Sequence, residues 1–212
     1  MEKLQTAVLV SGGGTNLQAL IDNEKSDANC PYHIALVVSS SSKAYALERA
    51  KTAGIPAFVA SATSILGAEK VKSASRDEKR FAISAKVLDY CHEYHIEAIV
   101  LAGFLTVLGG NIIEEYSNKI INLHPALLPK FGGVGMYGHN VHEAVLAAGE
   151  KESGCTIHLV DAGCDTGKIL LKKTVPVMPG DTPETLYARI APHEHKAMVE
   201  GLVLLAHDLK HC

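Results

Sequence analysis

The stretch Ala7-Val8-Leu9-Val10-Ser11-Gly12-Gly13-Gly14-Thr15-Asn16-Leu17-Gln18 decides the fold. A continuous apolar run is typical of a strand buried on both faces of a sheet. It ends in three glycines, and a segment with helical spacing, Asn16–Ile21, follows at once. A strand, a glycine turn and a helix in this order predict that an α/β fold begins at the N-terminus.

The same alternation continues along the chain. Further apolar runs predict buried parallel strands at Ile34–Ser39, Ala98–Ala102, Lys119–Leu123, Thr156–Val160 and Ile169–Val177, with Pro56–Ala60 as an additional candidate. Helical spacing predicts helices at Ala44–Ala53, Arg80–Tyr94 and Thr182 or Pro183 to His207. We expect Pro192 to kink or split the last helix near Ala191, and polar Ser61–Asp77 to be a loop or a short surface helix. The pattern indicates a doubly wound sheet with right-handed crossovers.

Composition limits the possible functions. The chain has 212 residues, with 20 Lys and Arg against 23 Asp and Glu, a net charge of −3. This length predicts one domain, and the lack of a basic excess disfavours a nucleic-acid binder. No apolar run is long enough for a membrane span, and the N-terminus lacks the features of a signal peptide. Five scattered cysteines, including Cys212, favour free thiols in the cytoplasm.

The glycine loop is a candidate phosphate site. Its glycines allow close approach of an anion, and the helix that follows offers free N–H groups. Thr15 and Asn16 add side-chain donors, whereas Leu17 occupies the place of the third glycine in a dinucleotide fingerprint. The alternative is a tight turn that binds no ligand.

Two later motifs carry candidate catalytic groups. Asn122 and His124 alternate along a strand and so share one face, where an amide and an imidazole can polarise a carbonyl and move a proton. Asp165 lies in a glycine-rich loop, from which its carboxylate can orient the imidazole or raise its pKa. The alternatives are a structural histidine and an ordinary turn. The histidine pairs lack a clear third ligand, so no metal site is predicted.

Together these motifs resemble the phosphoribosylglycinamide formyltransferases (glycinamide ribonucleotide transformylases), folate-dependent enzymes of purine biosynthesis. The resemblance covers nearly the whole chain and rests on Ser11–Gln18, Leu101–Phe104, Asn122–Lys130, Gly154–Val160, Asp165–Gly167 and Val175–Val177. It implies a Rossmann-like, doubly wound, mostly parallel sheet of about seven strands flanked by helices. It also implies one formyltransferase domain over 1–212, with an N-terminal lobe about 1–100 and a C-terminal lobe about 101–212.

The resemblance further implies direct formyl transfer from 10-formyltetrahydrofolate, as co-substrate and without a metal, to the amine of glycinamide ribonucleotide. The catalytic residues would be Asn122, His124 and Asp165. Residues matching the ribonucleotide site are Gly14, Thr15, Asn16 and Glu194. Residues matching the folate site are Arg80, Leu105, Thr106, Val107, Leu108, Asn122, Val160, Ala162 and Asp165. The expected protein is a cytoplasmic monomer or homodimer without nucleic-acid or membrane partners.

Two departures from the family pattern stand out. Thr106 occupies a position where relatives often carry Arg, which bears on contacts to the folate tail. The segment from Phe131 to Gly138 is longer than in the shorter relatives, and its glycines suggest a mobile lid. The competing functions are a formyltetrahydrofolate deformylase and a non-catalytic protein that binds a phosphoribosyl ligand. A methionyl-tRNA formyltransferase and a nucleotide-dependent oxidoreductase fit less well, because a basic surface and the third glycine are missing.

Overall fold

The computed structural model of the chain describes residues 2–210. Seven strands form one sheet in the order β3-β2-β1-β4-β5-β6-β7. The strands are β1 (Leu4–Val10), β2 (Tyr32–Ser39), β3 (Ala57–Val59), β4 (Ala98–Leu101), β5 (Ile120–His124), β6 (Glu152–Leu159) and β7 (Ile169–Pro176). The helices are α1 (Thr15–Ser26), α2 (Ala46–Ala53), α3 (Ala62–Leu66), α4 (Lys70–Ser73), α5 (Arg76–Glu93), α6 (Asn111–Glu115), α7 (His139–Ala147) and α8 (Pro183–Lys210).

The mostly parallel sheet is confirmed, but the direction of its last two strands differs from the prediction. The strands from β3 to β5 pair in parallel, whereas β6 is antiparallel to both β5 and β7. The predicted parallel direction was therefore wrong for Thr156–Val160 and Ile169–Val177, whereas both strands are present and the first is buried over most of its length. In addition, β7 is an edge strand with largely exposed side chains. An apolar run reveals neither the direction of a strand nor its place in the sheet.

Two of the observed helices are longer than the sequence predicted or are not interrupted where it predicted a break. Helix α5 begins at Arg76 and not at Arg80, because Ser75 and Glu78 form a capping box that satisfies the first backbone N–H groups. Ser61–Asp77 contains the short helices α3 and α4, in agreement with a surface segment. Helix α8 is not split at Pro192. Its buried face packs on the sheet from Leu186 to Ala206, which offsets the backbone hydrogen bond that proline removes.

Two hydrophobic clusters cover the two faces of the sheet. Successive residues of β1 alternate between them, because side chains on a strand point to opposite faces. Val8 and Val10 belong to the cluster under α1 and α8, and Ala7 and Leu9 belong to the cluster under α5 and α6. This alternation confirms that β1 is buried on both faces, as its unbroken apolar sequence predicts.

The strand order places three chain segments together. β1, β4 and β5 are parallel neighbours, so their carboxyl ends share one edge of the sheet. Open α/β sheets bind their ligands at such an edge. No helix in residues 2–210 combines the length and the apolar character needed to cross a bilayer.

Candidate active site

A cavity of about 650 Å³ opens at this edge of the sheet, a volume typical of sites for small organic molecules. Its walls come from the segments that follow β1, β4 and β5, from the loop before α7, from the loop after β6, and from α8. The residues discussed below that line it are Gly14, Thr15, Asn16, Arg76, Leu105, Thr106, Val107, Leu108, Asn122, His124, His158, Val160, Asp165 and Glu194.

The loop after β1 presents the N-terminus of α1 to the cavity. Gly14 precedes the helix with a left-handed φ of 72°, and no side chain caps the helix there. A Cβ at this position would lie 2.6 Å from the Cβ of Ala46, so only glycine fits. The free N–H groups of the first turn, with no acidic residue in that turn, are a candidate anion site.

Glu194 and Asn16 lie beside this loop. Glu194 is 5% exposed, and burial raises its pKa to about 7, while a hydrogen bond with Asn16 acts in the opposite direction. The side-chain oxygen of Asn16 is buried without a hydrogen-bond partner in the protein. Such an atom costs stability unless something donates to it. The pair therefore offers acceptors to a ligand that carries hydroxyl or amine groups.

The predicted catalytic residues lie together, with a second histidine among them. His124 Nδ1 is 3.5 Å from one carboxylate oxygen of Asp165, and His158 Nε2 is 3.5 Å from the other. Asn122 Nδ2 lies 3.1 Å from His158 Nε2. Both histidines are almost fully buried. The arrangement thus surrounds one carboxylate with two buried imidazoles at the wall of the cavity.

Burial and hydrogen bonding set the protonation of His124. Burial lowers the pKa of His124 below its ordinary value, although Asp165 and the carbonyl of Phe131 act to raise it. Asp165 thus acts on the imidazole in the predicted direction, but burial penalises the charged ring more. His124 Nε2 lies 2.7 Å from the carbonyl oxygen of Phe131. A carbonyl only accepts, so this nitrogen carries the proton.

Asp165 is held in place by its backbone conformation and by one backbone donor. It adopts a left-handed φ of 59°, and the backbone N–H of Gly133 donates to its Oδ2 at 3.0 Å. Burial acts to raise its pKa, but His158, the hydrogen bond from Gly133 and the nearby His124 leave the pKa below the ordinary value. The carboxylate is therefore ionised at neutral pH.

The path of the Asp165 loop follows from the antiparallel direction of β6. That strand ends beside the start of β5, where the N–H of Val160 donates to the carbonyl of Ile120 at 2.9 Å. The loop then folds back along the sheet until Asp165 reaches His124. Asp165 does lie beside His124, as predicted. The loop, however, leaves β6 at the opposite edge of the sheet from the one where a parallel strand would end.

His158 is the site residue that the sequence did not reveal. It pairs with Asn122 across β5 and β6, so its ring shares a face with Asn122. In the sequence it is one polar residue in an apolar run, and only the antiparallel register places it beside Asp165. The alternation of polar His158 between Ile157 and Leu159 was the available signal.

The predicted folate residues divide into two groups. Leu105, Thr106, Val107, Leu108 and Val160 line the cavity, whereas Arg80 and Ala162 do not. The guanidinium of Arg80 packs against Gly109 on the far side of the segment that follows β4, since a Cβ on Gly109 would lie 2.3 Å from its Nη2. Arg76, one turn earlier on α5, lines the cavity.

The cysteines in residues 2–210 are poor candidates for a reactive thiolate. Cys164 lines the cavity, and burial together with Asp165 raises the pKa of its thiol, which disfavours a thiolate. Cys30, Cys91 and Cys155 are buried free thiols, and Cys212 lies outside the described residues. In residues 2–210 no three His, Cys, Asp or Glu side chains are grouped to hold a metal ion.

Comparisons with known proteins agree with this geometry. Residues 4–202 match the model of the family described as formyl transferase. The chain is 41% identical over 203 residues to the trifunctional purine biosynthetic protein adenosine-3 of Drosophila pseudoobscura pseudoobscura, covering 95% of this chain and 14% of that protein. It is 36% identical over 194 residues to the chloroplastic phosphoribosylglycinamide formyltransferase of Arabidopsis thaliana, covering 92% of this chain and 62% of that protein.

A solved structure shows the same architecture. The glycinamide ribonucleotide transformylase 1 of Symbiobacterium toebii superposes with a TM-score of 0.85 at 35% identity, covering 97% of this chain and 89% of that one. The chain spans 14% of the length of the Drosophila protein and 62% of the length of the Arabidopsis protein. The similarity thus extends over nearly all of this chain but over only a part of those two proteins.

Proposed function

The chain belongs to the formyl transferase family, and from that premise we propose that it transfers the formyl group of 10-formyltetrahydrofolate to the amine of glycinamide ribonucleotide. The products would be formylglycinamide ribonucleotide and tetrahydrofolate. The observation that carries the proposal is the buried cluster of Asn122, His124, His158 and Asp165 in the same cavity as the anion-binding loop after β1. An anion site and a carbonyl-polarising site in one cavity suit a phosphorylated amine and a formyl donor.

The ribonucleotide fits the end of the cavity at α1. Its phosphate would bind the free N–H groups that follow Gly14, with Thr15 and Asn16 as additional donors. Its ribose hydroxyls are donors that suit Glu194 and the unpartnered oxygen of Asn16. This placement directs the glycinamide amine towards His124.

The folate fits the apolar part of the cavity. Leu105 and Val107 are 67% and 44% exposed, and covering such surface with a flat ring system is favourable. Arg76 at the start of α5 is suited to the carboxylates of the folate tail, a role that the sequence had suggested for Arg80.

Attack of the amine on the formyl carbon places negative charge on the formyl oxygen. A neutral His124 can donate one hydrogen bond from Nε2 to this oxygen, and the amide of Asn122 supplies a second. In the structure that Nε2–H is bonded to the carbonyl of Phe131. The Phe131 carbonyl must therefore withdraw before the formyl oxygen can take its place.

The proton of the attacking nitrogen must reach the leaving folate nitrogen. Asp165 is ionised and lies beside His124, so it can order a water molecule that carries this proton. Its charge also stabilises any positive charge that develops on the imidazole of His124. The two substrates held side by side supply much of the acceleration through proximity.

The test is an absorbance assay with 10-formyl-5,8-dideazafolate, with and without glycinamide ribonucleotide. We expect deformylation that requires the ribonucleotide. The His124→Ala and Asp165→Asn variants should each lose about 100-fold or more in kcat, the usual contribution of a positioned proton-transfer group.

The other outcomes separate the competing functions. Equal folate turnover without the ribonucleotide would identify a deformylase, in which water replaces the amine. Binding of both ligands with no turnover would favour a phosphoribosyl-ligand binding protein. Since unpaired cysteines persist best under reducing conditions, we place the reaction in the cytoplasm.

A further inference from the structure

We propose that Ser11 is a positioning residue that couples the two substrate sites, so that each substrate strengthens the binding of the other. This inference rests on the proposed function, since it assigns the phosphate to the loop after β1 and the folate to the segment after β4. Ser11 itself is not among the cavity-lining residues, so its effect must pass through its neighbours.

The hydroxyl of Ser11 joins three strand ends. It accepts a hydrogen bond of 2.9 Å from the backbone N–H of Leu105, the first residue of the folate segment Leu105–Leu108. It also shares a 2.6 Å hydrogen bond with the hydroxyl of Ser40, just after β2. Ser11 directly precedes Gly12, where the phosphate loop begins. One side chain therefore fixes the start of the loop and the start of the folate segment.

The far end of the folate segment is attached to a different part of the protein. The backbone N–H of Gly109 donates to the hydroxyl of Ser84 on α5 at 3.0 Å, and Ser84 in turn donates to the carbonyl of Arg80 at 2.9 Å. Both serines thus hold the same segment, but only Ser11 also connects it to the phosphate loop. Ser84 is accordingly a matched control.

The two substrate sites are coupled because each substrate must order part of the protein when it binds. A phosphate that bonds to the N–H groups after Gly12 restricts the loop, and with it the backbone of Ser11. The hydroxyl of Ser11 is then held in place for Leu105, so a folate that arrives second meets a segment already ordered. Thermodynamic linkage requires the reverse effect to be equal, so bound folate favours the ribonucleotide by the same factor.

The experiment is calorimetric titration of the full chain with glycinamide ribonucleotide, in the absence and in the presence of saturating 5,8-dideazafolate, which carries no formyl group. For the unmodified protein we expect the dideazafolate to lower the Kd for the ribonucleotide. In Ser11→Ala this enhancement should fall by about three- to tenfold, the size of one hydrogen bond. Ser11→Thr, which keeps a hydroxyl, should restore most of it.

The control and the contrary results are distinct. Ser84→Ala should weaken dideazafolate binding and leave the enhancement factor unchanged, because it loosens the segment without disconnecting it from the phosphate loop. An equal enhancement in Ser11→Ala and the unmodified protein, or a loss that Ser11→Thr does not reverse, overturns the inference. Failure of the unmodified protein to bind the ribonucleotide would instead refute the proposed function.

Discussion

The amide of Asn122 and the imidazole of His158 face each other across β5 and β6, 3.1 Å apart at Nδ2 and Nε2. His158 Nδ1 lies 2.9 Å from the carbonyl of Leu159, so it carries a proton, and in the neutral ring Nε2 accepts from Asn122. His158 thereby fixes the orientation of the Asn122 amide, with its nitrogen towards the ring. The second N–H of Asn122 is then left for a substrate.

Replacing His158 tests this orientation. In His158→Phe the ring shape is kept and the acceptor is lost, so we expect kcat to fall by about tenfold, with little change in the KM for the ribonucleotide. His158→Gln, which offers an amide oxygen near the same place, should recover part of kcat. Steady-state kinetics provides the measurement, and an unchanged kcat in His158→Phe would show that Asn122 is oriented by other groups.

Replacing Arg76 and replacing Arg80 should affect folate binding differently. Arg76→Ala removes a cation from the cavity, and we expect the KM for the folate co-substrate to rise by about tenfold, the size of one charge-assisted hydrogen bond. Arg80→Ala removes a side chain that packs against Gly109. We expect it to lower the unfolding temperature and to leave this KM nearly unchanged. Comparing folates with and without the glutamate tail identifies the contact, since Arg76→Ala should matter only when the tail is present.

Glu194 should make stability depend on pH. Its pKa rises from 4.5 to about 7 on folding, so the folded state binds the proton more tightly than the unfolded state. Stability is therefore lost as pH rises from 4.5 to 7, and the full cost, about 3 kcal/mol, is present above that window. Glu194→Gln removes the cost, so the variant should be the more stable protein at pH 8 and nearly equal to the unmodified chain at pH 5.

Denaturant unfolding at the two pH values measures this difference. His124 and His142, whose pKa values burial lowers, make both proteins less stable as pH falls below about 6.5. That contribution cancels in the comparison. A stability difference that does not grow between pH 5 and pH 8 would contradict the raised pKa of the buried Glu194 carboxyl.

Gly14 should be sensitive to substitution, and Gly13 provides the control. Gly14→Ala forces a left-handed φ on alanine and brings its Cβ within 2.6 Å of Ala46, which should cost about 1–3 kcal/mol of stability. A Cβ on Gly13 meets no atom within 4 Å, so Gly13→Ala should unfold almost as the unmodified protein does. Equal unfolding temperatures for the two variants would argue against the steric role of Gly14.

The sequence by itself determined the elements and most of the site. The apolar run of β1, followed by glycines and a helix, indicated an α/β fold, because a strand buried on both faces needs an unbroken apolar sequence. Asn122 and His124 could be placed on one face from their spacing, because strand side chains alternate. The residues around Gly14 were recognisable as a candidate anion site from the free N–H groups that begin a helix.

The tertiary structure alone decided what depends on distant contacts. The reversal of β6 brings His158 to Asp165 and makes the Asp165 loop fold back, and strand direction is set by packing rather than by composition. The capping box at Ser75 is a local signal, but only the packing of α5 places Arg76 in the cavity and Arg80 against Gly109. Burial lowers the pKa of His124 despite Asp165, because desolvation is a property of the assembled core and no local sequence records it.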